Sequence, residues 1–412
     1  MRRTANRINQ IESKPMNRIV RIDIRNFKSL FDTKIVFSEK CPITCLVGLN
    51  SSGKSSLIQA IDFISQLMRG DMEGWLHDRA WKKRDLISHL SFNPKITVEF
   101  TVKCRLENRY LTWDFSYNAD LAKCTKETIY ITDDSGRPNG EKLLQLNDGR
   151  YQLKDDDKYT VIDFEYQGSL LSQIKAARLD QPLMAFKNFI ASIYSFDMLS
   201  PRHIRGRSKK SDVIGRSGEY LAGYLFNLSE LGKLEIAGDI QKIFPWVVNF
   251  KIEGAQFGWK GLCIGEDIGR HQDPVTKVTG KYKFLRSAQH ASDGILRLIA
   301  LLGALYSAHG MLLFDEIENG LNPHIIKRVV ERLLKADKQL VITTHSPEIL
   351  QCFPDETALE AIKITVRNED ASTRVENFSD LEEARELLEV LSPGEVFLEL
   401  ELDKLARKKE PA

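Results

Sequence analysis

Residues 48–55 carry the residue types and the spacing of a phosphate-binding loop. They read Gly-Leu-Asn-Ser-Ser-Gly-Lys-Ser and match the pattern G-x-x-x-x-G-K-[ST] in full. Glycines in such a loop let successive backbone N–H groups turn inward, and a helix that begins there adds its positive end. Lys54 would reach the β- and γ-phosphates of ATP, while the Ser55 hydroxyl would bind Mg²⁺. The predicted nucleotide ligands are Asn50, Ser51, Ser52, Gly53, Lys54, Ser55 and Ser56.

Two acidic residues follow a second apolar run. Met311–Phe314 is apolar throughout, and Asp315 and Glu316 come directly after it. A buried strand would deliver Asp315 to its end, where the carboxylate can hold Mg²⁺. Glu316 can orient or deprotonate the water that attacks a phosphate. Acids at a strand end are more often solvated turn residues, but here they accompany a complete phosphate loop.

A third polar cluster follows the apolar run 340–342, where the chain reads Thr343-Thr344-His345. His345 could hydrogen-bond a γ-phosphate or the attacking water. A lone histidine after a strand is more often structural, but its place one helix and one strand after Asp315 favours a functional role. Lys54, Glu316 and His345 are therefore the predicted catalytic residues, and Ser55 and Asp315 the predicted magnesium ligands.

Strands and helices at matching places would position these groups. Ile43–Val47 is a compact apolar run typical of a buried parallel strand, and residues 55–68 after the loop show helical spacing. Ile19–Ile24 alternates apolar and polar residues, which predicts a strand, and residues 34–37 predict another. The later part predicts, in order, helix 293–308, strand 311–314, helix 323–336, strand 339–343, helix 346–353 and strand 359–366. The nucleotide core is thus split into a part before residue 68 and a part after residue 290.

The segment between these two parts has a different pattern. Residues 95–146 read as short strands separated by turns, which predicts an antiparallel sheet at the edge of the first lobe. Residues 150–195 mix polar loop with helix, 213–250 read as helical, and 251–290 as glycine-rich loop and strand.

Bulk composition excludes several classes of protein. The 412 residues are 42% apolar and 28% charged, as in an ordinary globular chain, and the net charge of +2 gives no overall basic field. The six cysteines form no C-x-x-C pair, which favours free thiols in a reducing compartment. The longest apolar stretch, Leu298–Ala308, is too short to span a bilayer. A cytoplasmic location without a membrane contact is the prediction.

The motifs together carry a family resemblance. Ser292-Asp293-Gly294 leads a helix about twenty residues before Asp315 and looks like the signature loop of ABC-type ATPases. Residues 318–323 are similar to their D-loop, and His345 to their switch histidine. With Ile24-Arg25-Asn26-Phe27-Lys28-Ser29 near the start, the set resembles the OLD/RecF/SMC-like ATPases, in particular a short-insert group common in bacterial anti-phage defence. The resemblance adds Arg25, Asn26, Ser292 and Gly294 to the expected nucleotide ligands.

The resemblance also implies a homodimer or a higher oligomer. In that family two heads close face to face, so that the signature serine of one subunit meets the γ-phosphate held by the other. Ser292 and the backbone near Gly294 would then form a second anion site at a helix N-terminus. The alternative is that Ser292 and Asp293 only cap the helix, as these residue types often do.

The fold that the resemblance implies is α/β. It is an ABC-type ATPase head with a mixed parallel sheet, an antiparallel β lobe and a helical second lobe. The predicted divisions are a flexible leader (1–15), the first ATPase lobe (16–195), a helical and loop insert (196–290), the second part of the ATPase core (291–370) and a C-terminal docking tail (371–412).

The sequence departs from the family pattern at two places. No convincing Q-loop glutamine is found, and the corresponding stretch is Met198-Leu199-Ser200-Pro201-Arg202-His203. Only 67 residues follow His345, too few for the nuclease module of the OLD branch together with the closing strands of the head. We therefore expect no nuclease in this chain. In the tail, Leu381, Leu387, Leu388 and Leu391 would serve as the docking surface for a second subunit or an effector.

A short basic run is a candidate nucleic-acid contact. Within residues 202–210 the cations are Arg202, Arg205, Arg207, Lys209 and Lys210. They could neutralise phosphates, although most charge runs are solvated loops and no aromatic residue is interleaved here to stack on bases.

The predicted function is an ATP-hydrolysing switch that dimerises on ATP. Its expected setting is a bacterial anti-phage defence system with a separate effector, a nuclease or a toxin. Two alternatives remain open: a RecF-like DNA-repair ATPase, which DNA would stimulate, and an ATP-dependent scaffold with little turnover.

Overall fold

The computed structural model of the chain describes residues 16–90, 95–197, 199–272, 279–400 and 402. The predicted leader, Met198 of the expected Q-loop stretch and residues 403–412 lie outside the described residues. The β-strands are β1 (Arg18–Phe27), β2 (Leu30–Val36), β3 (Ile43–Val47), β4 (Thr97–Leu106), β5 (Arg109–Asn118), β6 (Lys123–Thr132), β7 (Pro138–Asn147), β8 (Arg150–Leu153), β9 (Thr160–Val161), β10 (Ile193–Phe196), β11 (Val247–Gly254), β12 (Lys260–Gln272), β13 (Thr279–Ser287), β14 (Met311–Phe314), β15 (Gln339–Thr344), β16 (Ile362–Arg367) and β17 (Thr373–Asn377).

The α-helices are distributed along the whole described chain. They are α1 (Lys54–Arg69), α2 (Met72–Asp78), α3 (Leu170–Gln173), α4 (Gln181–Ala191), α5 (Pro201–Ile204), α6 (Leu221–Asn227), α7 (Glu230–Ile243), α8 (Asp293–Leu305), α9 (Pro323–Leu333), α10 (Pro347–Leu350), α11 (Asp355–Ala361), α12 (Glu382–Leu387) and α13 (Pro393–Glu399).

An eight-stranded sheet forms the edge lobe in the order β2-β1-β4-β5-β6-β7-β8-β9. All its pairings are antiparallel, as the sequence predicts for residues 95–146. The alternation in β1 explains its orientation, because Ile22 and Ile24 are buried while Arg21 and Arg25 are not. The sheet extends further than predicted, since β8 and β9 lie in a segment that was expected to be loop and helix.

The central sheet joins the two distant parts of the predicted core in the order β10-β14-β15-β3-β16-β17. Its first five strands are parallel and β17 is antiparallel, so the predicted mixed parallel sheet is confirmed. The split core arises because β3, from the N-terminal part, pairs with β15 on one side and with β16 on the other.

Each face of the central sheet covers its own apolar core. Leu46, Leu313 and Val341 face a core that includes the apolar side of α1 and the inner face of the eight-stranded sheet. Their neighbours Val47 and Ile342 face the core of the second lobe with α8 and α9. A parallel strand that is apolar on both faces needs such a two-sided burial.

The second lobe contains more than helices. Helices α6 and α7 occupy the predicted helical range, but a three-stranded antiparallel sheet, β11-β12-β13, follows them. Val247, Leu262 and Ile264 on this sheet are buried in the same core as Ile236 and Ile240 of α7. The expected helix-and-loop insert is therefore corrected to a lobe of helices and sheet, because the paired strands share an apolar core with α7.

The predicted docking tail is wrong for residues 373–400. Strand β17 completes the central sheet beside β16, and Thr373 lies against the phosphate loop. Leu381 is buried, and Leu387, Leu388 and Leu391 pack partly buried against the core of their own chain. These leucines therefore complete the apolar core of the head, because α12 and α13 fold back onto its apolar surface.

The cysteines and the helices bear on two expectations from composition. All six cysteines are free, and five of them are buried. Among the described helices, none combines the length and the apolar character that a membrane crossing requires.

Candidate functional site

Strand register brings the three predicted motifs to one edge of the central sheet. Val47, the last residue of β3, pairs with Thr344 of β15, and Phe314 at the end of β14 pairs with Ile342. The phosphate loop, Asp315–Glu316 and His345 follow these ends directly. The carboxyl edge of a parallel sheet is the usual place for a ligand site.

Neighbouring strands determine the backbone of the phosphate loop. Gly53 has φ 101°, a left-handed conformation that favours glycine, and a Cβ there would overlap the side chain of Thr373. The Ser52 and Thr365 hydroxyl oxygens are 2.6 Å apart, so this predicted ligand is a buried structural contact through its side chain. Asn50, Ser51 and Ser55 are exposed, and Ser56 is half-buried.

Helix α1 begins at this loop with its N-terminal N–H groups free of any side-chain cap. The side chain of Lys54 is only 5% exposed, and its ammonium group donates to the carbonyl oxygens of Gly48 and Leu49, both at 2.9 Å. An uncapped helix start beside a buried ammonium group fits a bound phosphate. These residues therefore suit the triphosphate of ATP.

Burial changes the acidity of the Lys54 ammonium group. Desolvation lowers its pKa to about 8, although the carboxylates of Asp315, Glu316 and Glu318 act in the opposite direction. Below pH 8 the group is mostly charged, and above it mostly neutral.

We expect ATP affinity to weaken on the alkaline side of this pKa. Between pH 7 and pH 9 the charged fraction of Lys54 falls roughly tenfold, and the apparent affinity should fall by a similar factor. Titration of a fluorescent ATP analogue at pH 7, 8 and 9 measures this. Lys54→Arg is the control, because a guanidinium group stays charged over the whole range and should remove the pH dependence. An affinity for the natural chain that is constant to pH 9 would contradict the role of this charge.

Thr343 orients both acidic residues. Its hydroxyl donates to Asp315 Oδ1 at 2.5 Å and accepts from the backbone N–H of Glu316 at 2.7 Å. Glu316 adopts φ 49°, which turns its side chain away from the strand direction. The two adjacent carboxylates therefore have different contacts, that of Asp315 with Thr343 and that of Glu316 with Asn319.

Glu316 also contacts the predicted switch histidine. The Nε2 atom of His345 lies 3.6 Å from Glu316 Oε1, and Asn319 Nδ2 donates to Glu316 Oε2 at 2.6 Å. Both His345 and Glu316 remain accessible, with 37% and 39% of their side chains exposed. A carboxylate held on one oxygen and accessible at the other can accept a proton from water.

Glu318 is a site residue that the sequence analysis did not select. Its Oε1 accepts from the Thr344 hydroxyl at 2.9 Å and from the His345 backbone N–H at 2.7 Å, so it fixes the loop that carries the histidine. Its Oε2 is buried and has no hydrogen-bond partner among the described residues. The only sequence signal was its place in the D-loop-like segment, which gave no reason to link it to His345.

Ser55 and Asp315 are the residues that could hold Mg²⁺. They offer a hydroxyl and a carboxylate, which suits a cation that keeps several waters and takes its other ligands from phosphates. Within the described ranges, no group of three or more His, Cys, Asp or Glu residues could hold a metal by itself.

Ser292 and Gly294 lie at the start of α8, where a Cβ on Gly294 would lie 3.3 Å from the carbonyl oxygen of Gly320. The Ser292 hydroxyl accepts from the Ile295 N–H at 3.5 Å, which is a helix cap, and the residue is exposed. Arg205 donates to the Ala291 carbonyl at 2.9 Å and to Asp293 Oδ1 at 2.5 Å. The signature-like segment is therefore attached to the second lobe through Arg205.

Arg25 and Asn26 do not serve the predicted nucleotide site. The Asn26 amide donates to the carbonyl oxygens of Lys95 and Thr97 at 2.8 and 2.7 Å, so it fixes the start of β4. Arg25 lies 3.5 Å from Asp32 in a groove of about 760 Å³ on the outer face of the eight-stranded sheet. The alternation of β1 decides this for Arg25, since Arg21 and Asp23 line the same outer groove.

Asp197 lies at the same sheet edge as Asp315, directly before the stretch that corresponds to the Q-loop. It follows β10, whose last residue Phe196 pairs with Phe314, so Asp197 is the neighbour of Asp315 across the sheet. Arg79 Nη1 lies 3.4 Å from Asp197 Oδ1. Burial raises the pKa of Asp197, and nearby Arg79 opposes this.

Only part of the predicted basic run is accessible to a nucleic acid. Arg202, Arg207, Lys209 and Lys210 are exposed, but Arg205 is bound to Asp293. Its inclusion among nucleic-acid contacts is therefore corrected, because its charge is neutralised within the chain.

Structural comparison places the fold among SMC heads. One similar structure is the SmcHead bound to the C-winged helix domain of ScpA, with 17% identity, 89% of this chain and 99% of that chain covered, and a TM-score of 0.50. Another is the Smc head domain with an extended coiled coil bound to the C-terminal domain of ScpA derived from Pyrococcus furiosus, with 14% identity, 91% and 99% covered, and a TM-score of 0.51. At such identities the likeness concerns the fold alone, and it confirms the predicted ATPase-head architecture.

Family comparison covers most of the same residues. A model described as "AAA ATPase domain" matches residues 18–182, and one described as "AAA domain, putative AbiEii toxin, Type IV TA system" matches residues 103–351. No curated protein matches the chain. Both family descriptions support nucleotide binding by an ATPase domain. Because the second model spans more than half of the chain, the chain belongs to the family described as "AAA domain, putative AbiEii toxin, Type IV TA system".

Proposed function

We propose that the chain is an ATP-hydrolysing switch whose two nucleotide sites are completed when two copies close face to face. The observation that carries the proposal is the exposed start of α8. Ser292 and Asp293 lie there accessible, while the phosphate loop, Asp315 and Glu316 lie at the edge of the central sheet. The side-chain contacts of Ser292 and Asp293 given above are with α8 and Arg205, so this anion-binding end remains available for a second copy.

The proposed reaction is the in-line attack of water on the γ-phosphate of ATP. Lys54 neutralises charge on the β- and γ-phosphates. Glu316 orients the water and accepts its proton, and His345 lies beside that carboxylate. Ser55 and Asp315 would hold Mg²⁺, which would neutralise further phosphate charge. Ser292 of the second copy completes the site at the γ-phosphate.

ATP-dependent dimerisation tests this proposal. We expect Glu316→Gln with Mg-ATP to double its mass in light scattering, because trapped ATP joins both surfaces and is not consumed. With ADP the same variant should be monomeric. Lys54→Ala is the matched control, since it lacks the phosphate ligand and should stay monomeric with ATP. A monomer for Glu316→Gln at saturating ATP, with nucleotide binding demonstrated, would refute the composite site.

We further propose that this switch regulates a separate effector, a nuclease or toxin, in bacterial defence against phage. The family description, which names a toxin and a toxin–antitoxin system, supports this setting. Cells that carry the chain with the product of its neighbouring gene should form fewer phage plaques than cells that carry either alone. Lys54→Ala should abolish the protection, and unchanged plaque numbers for the intact pair would contradict this role. The purified chain alone should leave plasmid DNA uncut.

A further inference from the structure

The tip of the β11–β12 hairpin exposes two aromatic rings. Phe257 is 88% exposed and Trp259 is 41% exposed, both in the connection between the strands. Phe257 adopts φ 58°, which is uncommon for a bulky residue, and so its backbone is strained. An exposed pair of large rings on a strained turn is typical of an interaction site.

Tertiary structure places the basic run beside these rings. The backbone of Ser208 pairs with that of Lys260 in an antiparallel bridge, with N–H to oxygen contacts of 3.1 and 2.8 Å. Residues on either side of the bridge therefore face each other, with Lys209 opposite Trp259 and both exposed. Arg207 lies over Gly261, and its Nε atom is 3.7 Å from the position that a Cβ on Gly261 would occupy.

A third ring and a further cation lie at the bridge residue Lys260. The Lys260 ammonium group lies 3.8 Å from the centre of the Phe226 ring, which is 41% exposed. We call the set the hairpin surface; its members are Arg207, Lys209, Lys210, Phe226, Phe257, Trp259 and Lys260.

The charge on this surface is mostly unbalanced. Nearby acids are Glu253 on β11 and Asp212, whose carboxylate accepts a hydrogen bond from Asn227. Among the described residues named here, four cations stand against these two acids, although the whole chain carries only +2. A polyanion is therefore the complementary partner.

We propose that the hairpin surface binds single-stranded nucleic acid. Phe257 and Trp259 stack on unpaired bases, and Arg207, Lys209 and Lys210 neutralise adjacent phosphates. Protruding rings favour unpaired bases, because the bases of a duplex are already stacked on each other. The proposal does not depend on ATP turnover or on dimerisation.

The surface is also connected to the predicted signature segment. Arg205 is two residues before Arg207 and holds Ala291 and Asp293 at the start of α8. Both arginines line a small cavity with Gln289 and Glu253. A nucleic-acid strand bound at the hairpin surface is thus separated from the start of α8 by the side chain of Arg205.

Fluorescence anisotropy of the full chain without nucleotide tests the proposal. The probes are a labelled dT 20-mer, a rU 20-mer and a mixed-sequence 20-base-pair duplex. We expect tighter binding of at least one single strand than of the duplex. Phe257→Ala and Trp259→Ala should each weaken single-strand binding at least about fivefold, the lower end for a stacked base. Lys209→Glu with Lys210→Glu should weaken all binding and reduce its salt dependence by roughly one counterion per lost phosphate contact.

Matched variants on the other lobe control for general effects. Tyr159→Ala removes a ring that is 47% exposed near β9, and Lys158→Glu reverses an exposed charge beside it. Both should bind like the natural chain, and thermal unfolding checks that every variant is folded. Binding of either the DNA or the RNA single strand supports the proposal. The strand that binds more tightly shows whether the site prefers deoxyribose or ribose. No single-strand binding, or binding that Phe257→Ala and Trp259→Ala leave unchanged, overturns it and leaves a protein partner for these rings.

Discussion

Glu316→Gln is expected to bind ATP as tightly as the natural chain and to hydrolyse it about 10²–10⁴-fold more slowly, the usual loss when a general base is removed. Glutamine keeps the shape of the side chain and can still accept the hydrogen bond from Asn319, which is 2.6 Å long in the natural chain. It cannot accept a proton from water. The effect should therefore fall on turnover and not on binding.

Steady-state phosphate release and binding of a fluorescent ATP analogue measure the two quantities separately. Lys54→Ala provides the comparison, because it should lose binding as well as turnover. Asn319→Ala is a second comparison, since it frees Glu316 without changing its charge and should keep most of the activity. Turnover by Glu316→Gln at the natural rate would exclude Glu316 as the general base and would leave Glu318 as the candidate.

Ser292→Asp is expected to stop hydrolysis while it leaves the fold and ATP binding to the isolated chain intact. Aspartate caps a helix as well as serine does, and its charge suits a helix N-terminus. The same charge would face the γ-phosphate of the second copy. At about 4 Å, and at the effective dielectric constant typical of a protein surface, such a repulsion is on the order of 4 kcal/mol, or roughly a thousandfold.

A mixing experiment then separates action on the second copy from action within one chain. In a mixed dimer of Ser292→Asp and Lys54→Ala, one of the two sites has both a normal phosphate loop and a normal serine, as the two-fold symmetry of the pair requires. Part of the natural activity should therefore return in the mixture, although each variant alone is inactive. Natural activity of Ser292→Asp alone would reduce Ser292 to a helix cap. A mixture that stays inactive although mixed dimers form would exclude completion of the site by the second copy.

Sequence alone predicted the parts of the site that depend on contiguous residues. The phosphate loop lies between a buried strand and a helix, and β3 ends at Val47 as predicted. Asp315 follows β14, whose bounds also agree with the prediction. Such motifs can be found because a loop that turns between strand and helix needs its glycines, lysine and serine at constant spacing.

Contacts between distant residues could not be predicted in this way. Thr365 and Thr373 lie against the phosphate loop from more than 300 positions away, and Thr343 aligns Asp315 from the next strand. Nothing in the local pattern around these threonines distinguishes them from ordinary strand residues. The prediction for Asn26 differs from the structure for the opposite reason. Its local motif suggests a nucleotide ligand, but its amide donates to backbone carbonyls at the start of β4.

The order of elements, the nucleotide-binding motifs and the division of the core into two distant parts can be read from the chain, since they depend on local periodicity and on short spacing. Which surfaces are covered follows from the folded structure. It packed the leucines of the tail against the head, neutralised Arg205 with Asp293, and paired Ser208 with Lys260. Each of these outcomes depends on how strands pair and how helices pack across long sequence separations, and single-residue patterns do not encode that register.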